Sequence, residues 1–455
     1  MDKRFPIEDQ IAMLASSLRG RVIQPHHDDY DTVRALVPGN YDYRPAAVIR
    51  PANAADVAAV INFAQATDLP LAVRSGGHTG HGTNGGLVID LRDLNSIEID
   101  KEAQTAWAGT GLTAGEVTVA VEKEGLIVGF GDTASVGIGG LTSGGGIGYL
   151  VRKFGLTIDN VLAAEVVTAA GDIVVCDEIN HPDLFWAVRG GGGNFGVITR
   201  WLFKLHPIPE FTGGPLVLPA TPEVVAGFVA AAEAAPEELS AIALVMPCPP
   251  LPFMPEAMYG KTIFMCTMAY IGDPASAEKA LAPFRALATP YADLVGPAPY
   301  SSLYAPEDPN EKPSFSVRGQ FVDTIDVARA GQIIDFVEKS DAPFSLGEIR
   351  VLGGAFSRVD RSATAFGHRD AQIMLAFIAL SESGEAAKRH VIWAQRATDA
   401  LRQGEDRVYV NFITSDPKSR IHAAYPTATF ARLRRIKRDY DPENLFALNK
   451  NIPPA

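Results

Sequence analysis

The chain has 455 residues, 47% of them hydrophobic and 20% charged, with a net charge of −13 and no block of Lys or Arg. That length exceeds one ordinary core, so two domains are expected, with three possible, and the acidic balance argues against nucleic acid or an anionic membrane as the main partner. Cys176, Cys248 and Cys266 are an odd, scattered set without a CxxC pair, which disfavours a disulfide framework or a zinc site and fits a reducing cytoplasm.

In chain order, residues 8–20 read as a short amphipathic helix, and the N-terminal stretch lacks the apolar run and cleavage site of a secretion signal. No apolar run reaches the length of a membrane span. "DVAAVINFAQATD" (56–68) predicts a helix followed by the strand "LPLAVR", with "GGLVIDL" and "TAWAGTG" as further strands. "AGEVTVAVEKEG" (114–125) predicts a helix closed by Gly125 as C-cap. "AAEVVTAAGDIVVCD" (163–177) predicts a hairpin turning on "AAGD". "HPDLFWAVRGGGGNFGVITRWLFKLHPIP" then runs helix, glycine turn, strand. Near Pro207 the glycine density falls and proline clusters appear, which places a domain boundary there. Beyond it, strands such as "GKTIFMCTMAYIG", "EIRVLGGAF" and "AQIMLAFIAL" alternate with helical stretches, predicting an antiparallel sheet covered by helices. The tail carries a basic helix ended by Pro442 and then an extended terminus.

Three glycine clusters, 74–86, 129–148 and 189–196, fall in the first 207 residues, each beside a strand. Such clusters present backbone N–H groups to an anion such as a pyrophosphate. "GGLTSGGGIG" (139–148) lacks the Gly-Lys-Ser/Thr ending of a P-loop. "GIGGLTSG" has glycines spaced like a dinucleotide fingerprint but not its βαβ context, so a Rossmann domain fits poorly. The histidines His78 and His81 inside "RSGGHTGHGTNGG" add a nucleophile, a proton carrier or a metal ligand to one cluster.

Taken together, "RSGGHTGHGTNGGLVIDLRDLNSIEID", "GFGDTASVGIGGLTSGGGIGYLVRKFGLTIDN", "HPDLFWAVRGGGGNFGVITR" and the tail "YDPENLFALNKNIPP" resemble the FAD-linked oxidases of the berberine-bridge-enzyme-like group, in the vanillyl-alcohol oxidase / p-cresol methylhydroxylase superfamily. The likeness covers nearly the whole chain in the right order. It implies an α+β fold with an FAD-binding domain of two α+β subdomains (1–206), a substrate-binding domain (207–410), and a segment (411–455) that returns to the first.

The resemblance further implies FAD bonded covalently to His78, with His81 an ordinary loop residue. It places cofactor contacts on Arg74, Ser75, Gly76, Gly77, His78 and Thr79. The second cluster would add Gly131, Asp132, Thr133, Val136, Gly137, Gly139, Gly140, Gly144 and Gly146. Gly196, Val197 and Asn449 complete the set. Many relatives carry a second flavin link through a cysteine, and Thr133 stands at that position, so a single link and a small substrate are expected. Val136 aligns with the residue that guards oxygen access, and packing of a glycine-flanked valine accounts for it equally well.

On the substrate side, "GEIRVLGGAF" supplies Glu348, which strand alternation puts on one face with Arg350, opposite Ile349 and Val351. A solvated ion pair is the plainer account of Glu348 and Arg350. "YVNF" (409–412) supplies Tyr409 and Asn411 on one strand face. The stretch "PYSSLYAPEDPNEKPSF" suggests a lid with Tyr300 and Tyr304, and loops 247–260 and 296–316 are expected to shape the pocket. The expected activity is hydride removal from a small alcohol or amine to FAD, with O2 as acceptor and H2O2 as product. A dehydrogenase of the same fold with another acceptor, an oligosaccharide oxidase and a flavin-carrying binding protein are the alternatives. Oligomeric state has no signature.

Overall fold

The computed structural model describes residues 5–208, 210–305, 307, 312, 314–381, 384–413 and 418–455. Among these, three large sheets organise the chain, with a two-stranded pairing of Leu126–Ile127 and His206–Pro207 beside them. The first has four strands. Ala47–Arg50, Leu87–Asp90 and Leu71–Arg74 run parallel, and Arg21–Ile23 adds an antiparallel edge. Parallel strands buried on both faces read as continuous apolar runs, which is why "AAVIR" and "GLVID" lack alternation. The crossover between two of them is the helix Ala54–Thr67. Its N-terminus is capped by the Asn53 side chain, which accepts from Asp56 N–H at 3.0 Å.

The second sheet is antiparallel and has five strands, in the order Ile97–Asp100, Thr105–Gly109, Val197–Lys204, Val161–Val167, Ile173–Cys176. The last two form the expected hairpin. The helix Ala114–Glu122 begins in a capping box of Thr113 and Glu116 and sends Ala114, Val117 and Val121 into the core shared with this sheet. Trp201, Phe203, Phe130 and Phe185 fill the core below it.

From Phe211 onward the third sheet takes over, eight antiparallel strands with Thr262–Ile271, Leu239–Pro247, Phe344–Val351 and Ile373–Ser381 at its centre. The helices Pro222–Ala234, Pro274–Arg285, Val327–Glu338 and Gly384–Ala400 cover one face of it. Ile349 and Val351 point into that covered core, so the alternate residues of the same strand, Glu348 and Arg350, are presented to the other face. The chain is an α+β fold, as its pattern of elements predicts.

The C-terminal helix Thr427–Tyr440 returns to pack on Pro182–Val188. Its buried Lys437 donates to Asp441 Oδ2 at 2.6 Å, to the Asn194 carbonyl at 2.8 Å and to the Phe446 carbonyl at 3.2 Å. One ammonium thus ties the last helix, the third glycine cluster and the tail together. The tail is fastened further by Asn449 Nδ2 donating to Gly193 O at 2.8 Å and by Ile452 N–H donating to Asn194 Oδ1 at 2.9 Å. A buried pair, Arg369 forked onto Asp159 at 2.6 and 2.8 Å, joins the eight-stranded half to the segment after the second cluster.

Candidate active site

A cavity of about 490 Å³ lies where the three glycine clusters, the uncovered face of the eight-stranded sheet and the C-terminal tail converge. Its first wall is the loop leaving Leu71–Arg74. Arg74 is committed to structure: its guanidinium donates to Asp90 Oδ2 at 2.9 Å, to Arg34 O at 3.0 Å and to Val33 O. It therefore anchors the loop more than it offers charge. Ser75 Oγ donates to Thr110 O at 2.5 Å and accepts from Gly139 N–H at 3.3 Å, which stitches the first cluster to the second.

Close approach of those loops explains two glycines. A Cβ on Gly76 would sit 2.4 Å from Gly137 N, and one on Gly137 would sit 2.2 Å from Gly76 N, distances no side chain tolerates. At Gly140 an added Cβ would meet nothing within 4 Å, so bare backbone there faces open cavity. Thr79, Gly131, Thr133, Val136, Gly146, Gly196, Val197 and Asn449 also line the cavity, together with Gly77 and His78. Gly144 does not. Its missing Cβ makes room for Asn411, whose Oδ1 would lie 2.0 Å from it.

His78 Nε2 lies 3.0 Å from Ser135 Oγ, and Ser135 in turn meets Glu307. Burial pushes the His78 ring pKa down, with Glu307 opposing it. His81 lies in a loop, as expected, and that loop also brings it to the cavity wall. Burial first and Lys450 second drive its pKa down to about 3, so it is neutral at physiological pH. Burial lowers the Lys450 ammonium to about 8, and it sits in the cavity wall near His81.

The opposite end holds the chemistry-bearing side chains. Arg350 donates from Nε to Glu348 Oε1 at 2.7 Å, from Nη2 to Asp132 Oδ2 at 2.7 Å and from Nη1 to Ile147 O at 2.5 Å. Glu348 and Arg350 are both buried, so the solvated ion pair considered from sequence is replaced by a desolvated one on the cavity. Burial pushes the Glu348 carboxyl up from its ordinary value; Arg350 pulls it down and Asp132 adds to the rise. Burial works against the charge of Arg350, but Asp132 and Glu348 outweigh it and raise its pKa. Two carboxylates around one guanidinium leave the cluster with one net negative charge when all three are ionised.

Tyr409 and Asn411 meet beside this cluster, though not on a strand. Tyr409 is extended and Val410–Phe412 is a 3₁₀ turn. The Tyr409 hydroxyl oxygen accepts from Gly146 N–H at 2.7 Å and from Asn411 Nδ2 at 2.9 Å, while Asn411 Nδ2 also donates to Leu141 O at 3.0 Å. Burial raises the phenol pKa and those two donors partly offset it. Phe315, Val317 and Ile378 supply apolar wall from the sheet.

Two expectations are corrected here. Tyr300 and Tyr304 form no lid: Tyr300 is buried edge-on against Phe211, with ring centroids 5.4 Å apart, and neither tyrosine lines the cavity. Burial pushes the Tyr304 phenol up to about 12, and its hydroxyl meets Thr118 Oγ1 at 3.3 Å. The loop 247–260 contributes no wall residue either, since Cys248 and Met254 turn into a cluster of their own. Within 296–316, Glu307 and Phe315 do line the cavity, and residues 306, 308–311 and 313 lie outside the described residues.

The arrangement suits FAD. The clusters offer backbone N–H groups to a pyrophosphate, the bare backbone at Gly140 leaves space against the wall, and Asn449 on that wall has a buried Oδ1 with no partner in the protein. Residues 45–177 match the family model described as FAD binding domain, and 408–453 match the one described as berberine and berberine like. The (R)-6-hydroxynicotine oxidase of Paenarthrobacter nicotinovorans is 30% identical over 96% of this chain and 97% of its own length. The chitooligosaccharide oxidase of Gibberella zeae is 27% identical over 90% of this chain and 88% of its own. The solved structure of 6-hydroxy-D-nicotine oxidase from Arthrobacter nicotinovorans superposes with a TM-score of 0.85 at 27% identity, covering 96% of this chain and 98% of that one. A glycine-walled cavity, its match to an FAD-binding model and full-length relatives agree: the chain is an FAD-linked oxidoreductase and belongs to the berberine-bridge-enzyme-like family.

Proposed function

We propose that this protein is an oxidase of small amines, carrying FAD on a single covalent bond to His78 and returning electrons to O2 with release of H2O2. The observation that carries the substrate class is the Glu348–Arg350–Asp132 cluster, two carboxylates on one guanidinium at the cavity wall, with Glu348 and Arg350 buried and Asp132 half-buried. A protonated amine entering the cavity finds a counter-charge there, whereas a neutral alcohol gains much less. The (R)-6-hydroxynicotine oxidase among the relatives is named for an amine, which is consistent with this reading.

Bound FAD supplies the two-electron acceptor. Glu348, raised by burial above the ordinary carboxylate range, accepts a proton from the ammonium and leaves the nitrogen lone pair free, which lets the adjacent carbon give up hydride. Tyr409 already accepts two hydrogen bonds, so its hydroxyl proton is what it can offer to orient the substrate. Asn411 holds that phenol in place. Phe315, Val317 and Ile378 exclude water beside the reacting carbon. Val136, a small side chain on the wall, is the position this reading gives to O2 access. Absence of a cysteine at Thr133, with Cys176, Cys248 and Cys266 all buried off the cavity, supports a single link.

Matched pairs of amine and alcohol built on one carbon skeleton test the assignment in an oxygen electrode. The amine is expected to show the higher kcat/KM, by about tenfold or more given a desolvated counter-charge. Equal values for the two members of each pair would overturn it.

A further inference from the structure

Ser135 and Glu307 have no part in the substrate chemistry above, yet Ser135 bonds to the histidine on which the covalent reading rests and Glu307 bonds to Ser135. Ser135 N–H donates to Glu307 Oε2 at 3.0 Å, and Ser135 Oγ donates to Glu307 Oε1 at 2.8 Å. The serine has only one hydroxyl proton, and the carboxylate, which can only accept, takes it. Ser135 Oγ must therefore accept from His78 Nε2, 3.0 Å away. That places the imidazole proton on Nε2 and leaves the lone pair on Nδ1. The three residues come from three separate segments: the first glycine cluster, the second, and the stretch preceding Ser314–Val322.

We propose that Ser135 and Glu307 are positioning residues for cofactor attachment, holding His78 with Nδ1 as the nucleophile and receiving the Nε2 proton once the ring is alkylated. This rests on the covalent-FAD reading above. Attachment joins Nδ1 to the 8α-methyl carbon. That carbon loses one hydrogen as a proton, and Nε2 loses the second proton to the Ser135–Glu307 pair. The two electrons released pass to O2, which with two protons becomes H2O2, so atoms and electrons balance. Without the carboxylate, the alkylated ring would be a cation in a buried site with nothing opposite it. In a serine-only site the hydroxyl could also turn to donate to Nε2, which would put the ring proton on Nδ1 and remove the nucleophile.

The test follows acid-stable flavin over time after FAD is added to flavin-free, full-length protein, beside total bound flavin. Glu307 is exposed, so Glu307→Gln leaves the core untouched. In it, and in Ser135→Ala, total FAD is expected to stay at one per chain while attachment slows on the order of tenfold or more, the size of a lost charge-assisted hydrogen bond. Ser135→Thr, which keeps the hydroxyl, is expected to restore the rate. A merely structural role would lower total and acid-stable flavin together. Should Ser135→Ala lose FAD altogether, Glu307→Gln decides alone. Equal attachment rates in wild type and Glu307→Gln would overturn the proposal. Wild-type protein with no acid-stable flavin at all would overturn the covalent reading and this inference with it, an outcome distinguished by its appearance in the unmodified chain.

Discussion

Glu348→Gln is expected to lower kcat/KM for the amine substrate by about 10²–10⁴-fold, the range of a positioned general base. Glutamine keeps the shape of the side chain and can still meet Arg350, so the loss reports charge and basicity more than packing. The pH profile carries a second signature. Burial raises the Glu348 carboxyl above its ordinary value, so wild-type kcat/KM falls as pH drops through that raised value, and the variant lacks this limb. Stability moves the other way. A carboxyl whose folded pKa is raised binds more protons folded than unfolded between the two values, so its contribution to stability declines as pH rises through that window. Glu348→Gln is therefore expected to melt at a higher temperature than wild type at neutral pH, the usual relation between a desolvated functional charge and fold stability. Unchanged kcat/KM with an unchanged profile would remove Glu348 from the mechanism.

His78→Ala is expected to abolish acid-stable flavin entirely. The glycine cradle remains, so FAD still binds, but acid precipitation sends all colour to the supernatant. No cysteine stands ready to take its place: Thr133 occupies the position that the family likeness assigns to one, and Cys176, Cys248 and Cys266 are buried elsewhere. Because a histidyl link also tunes the cofactor's potential, the variant is expected to oxidise substrate more slowly even when saturated with FAD. A pellet that stays yellow in His78→Ala would mean attachment at another residue.

Much of this architecture was legible because its signals are local. Three glycine clusters beside strands announced a backbone cradle, and the positions where Gly76 and Gly137 touch are ones only glycine could fill. Period-two alternation along Phe344–Val351 correctly paired Glu348 with Arg350 and set Ile349 and Val351 opposite. What alternation could not say was which face meets solvent, because that depends on the clusters closing over the sheet some 200 residues away in sequence. Asp132 completes the cluster from that distance, and no local pattern links it to Arg350.

The misses have similar causes. β-Rich residues predict Tyr409 and Asn411 as neighbours on one strand face, but tertiary contacts with Leu141 and Gly146 bend the chain into a 3₁₀ turn that still delivers both side chains. Aromatic residues in a proline-rich stretch suggested a lid, whereas Tyr300 found Phe211 and became core. Lys450 carries no motif, and it matters because the returning tail brings it to the wall where the first cluster already holds His81. Glu307 sits in a stretch with no motif, and its bond to Ser135 spans 172 positions.

The central claim is that a small amine gives hydride to FAD held in this cavity. The most direct measurement mixes the purified holoenzyme, without air, with a panel of small primary and secondary amines while the visible flavin absorbance is followed, and then admits air. The account predicts that at least one amine bleaches the flavin within the turnover time, that air restores the colour with one H2O2 per flavin, and that Glu348→Gln bleaches far more slowly. A flavin that dithionite reduces but that no amine bleaches would contradict it.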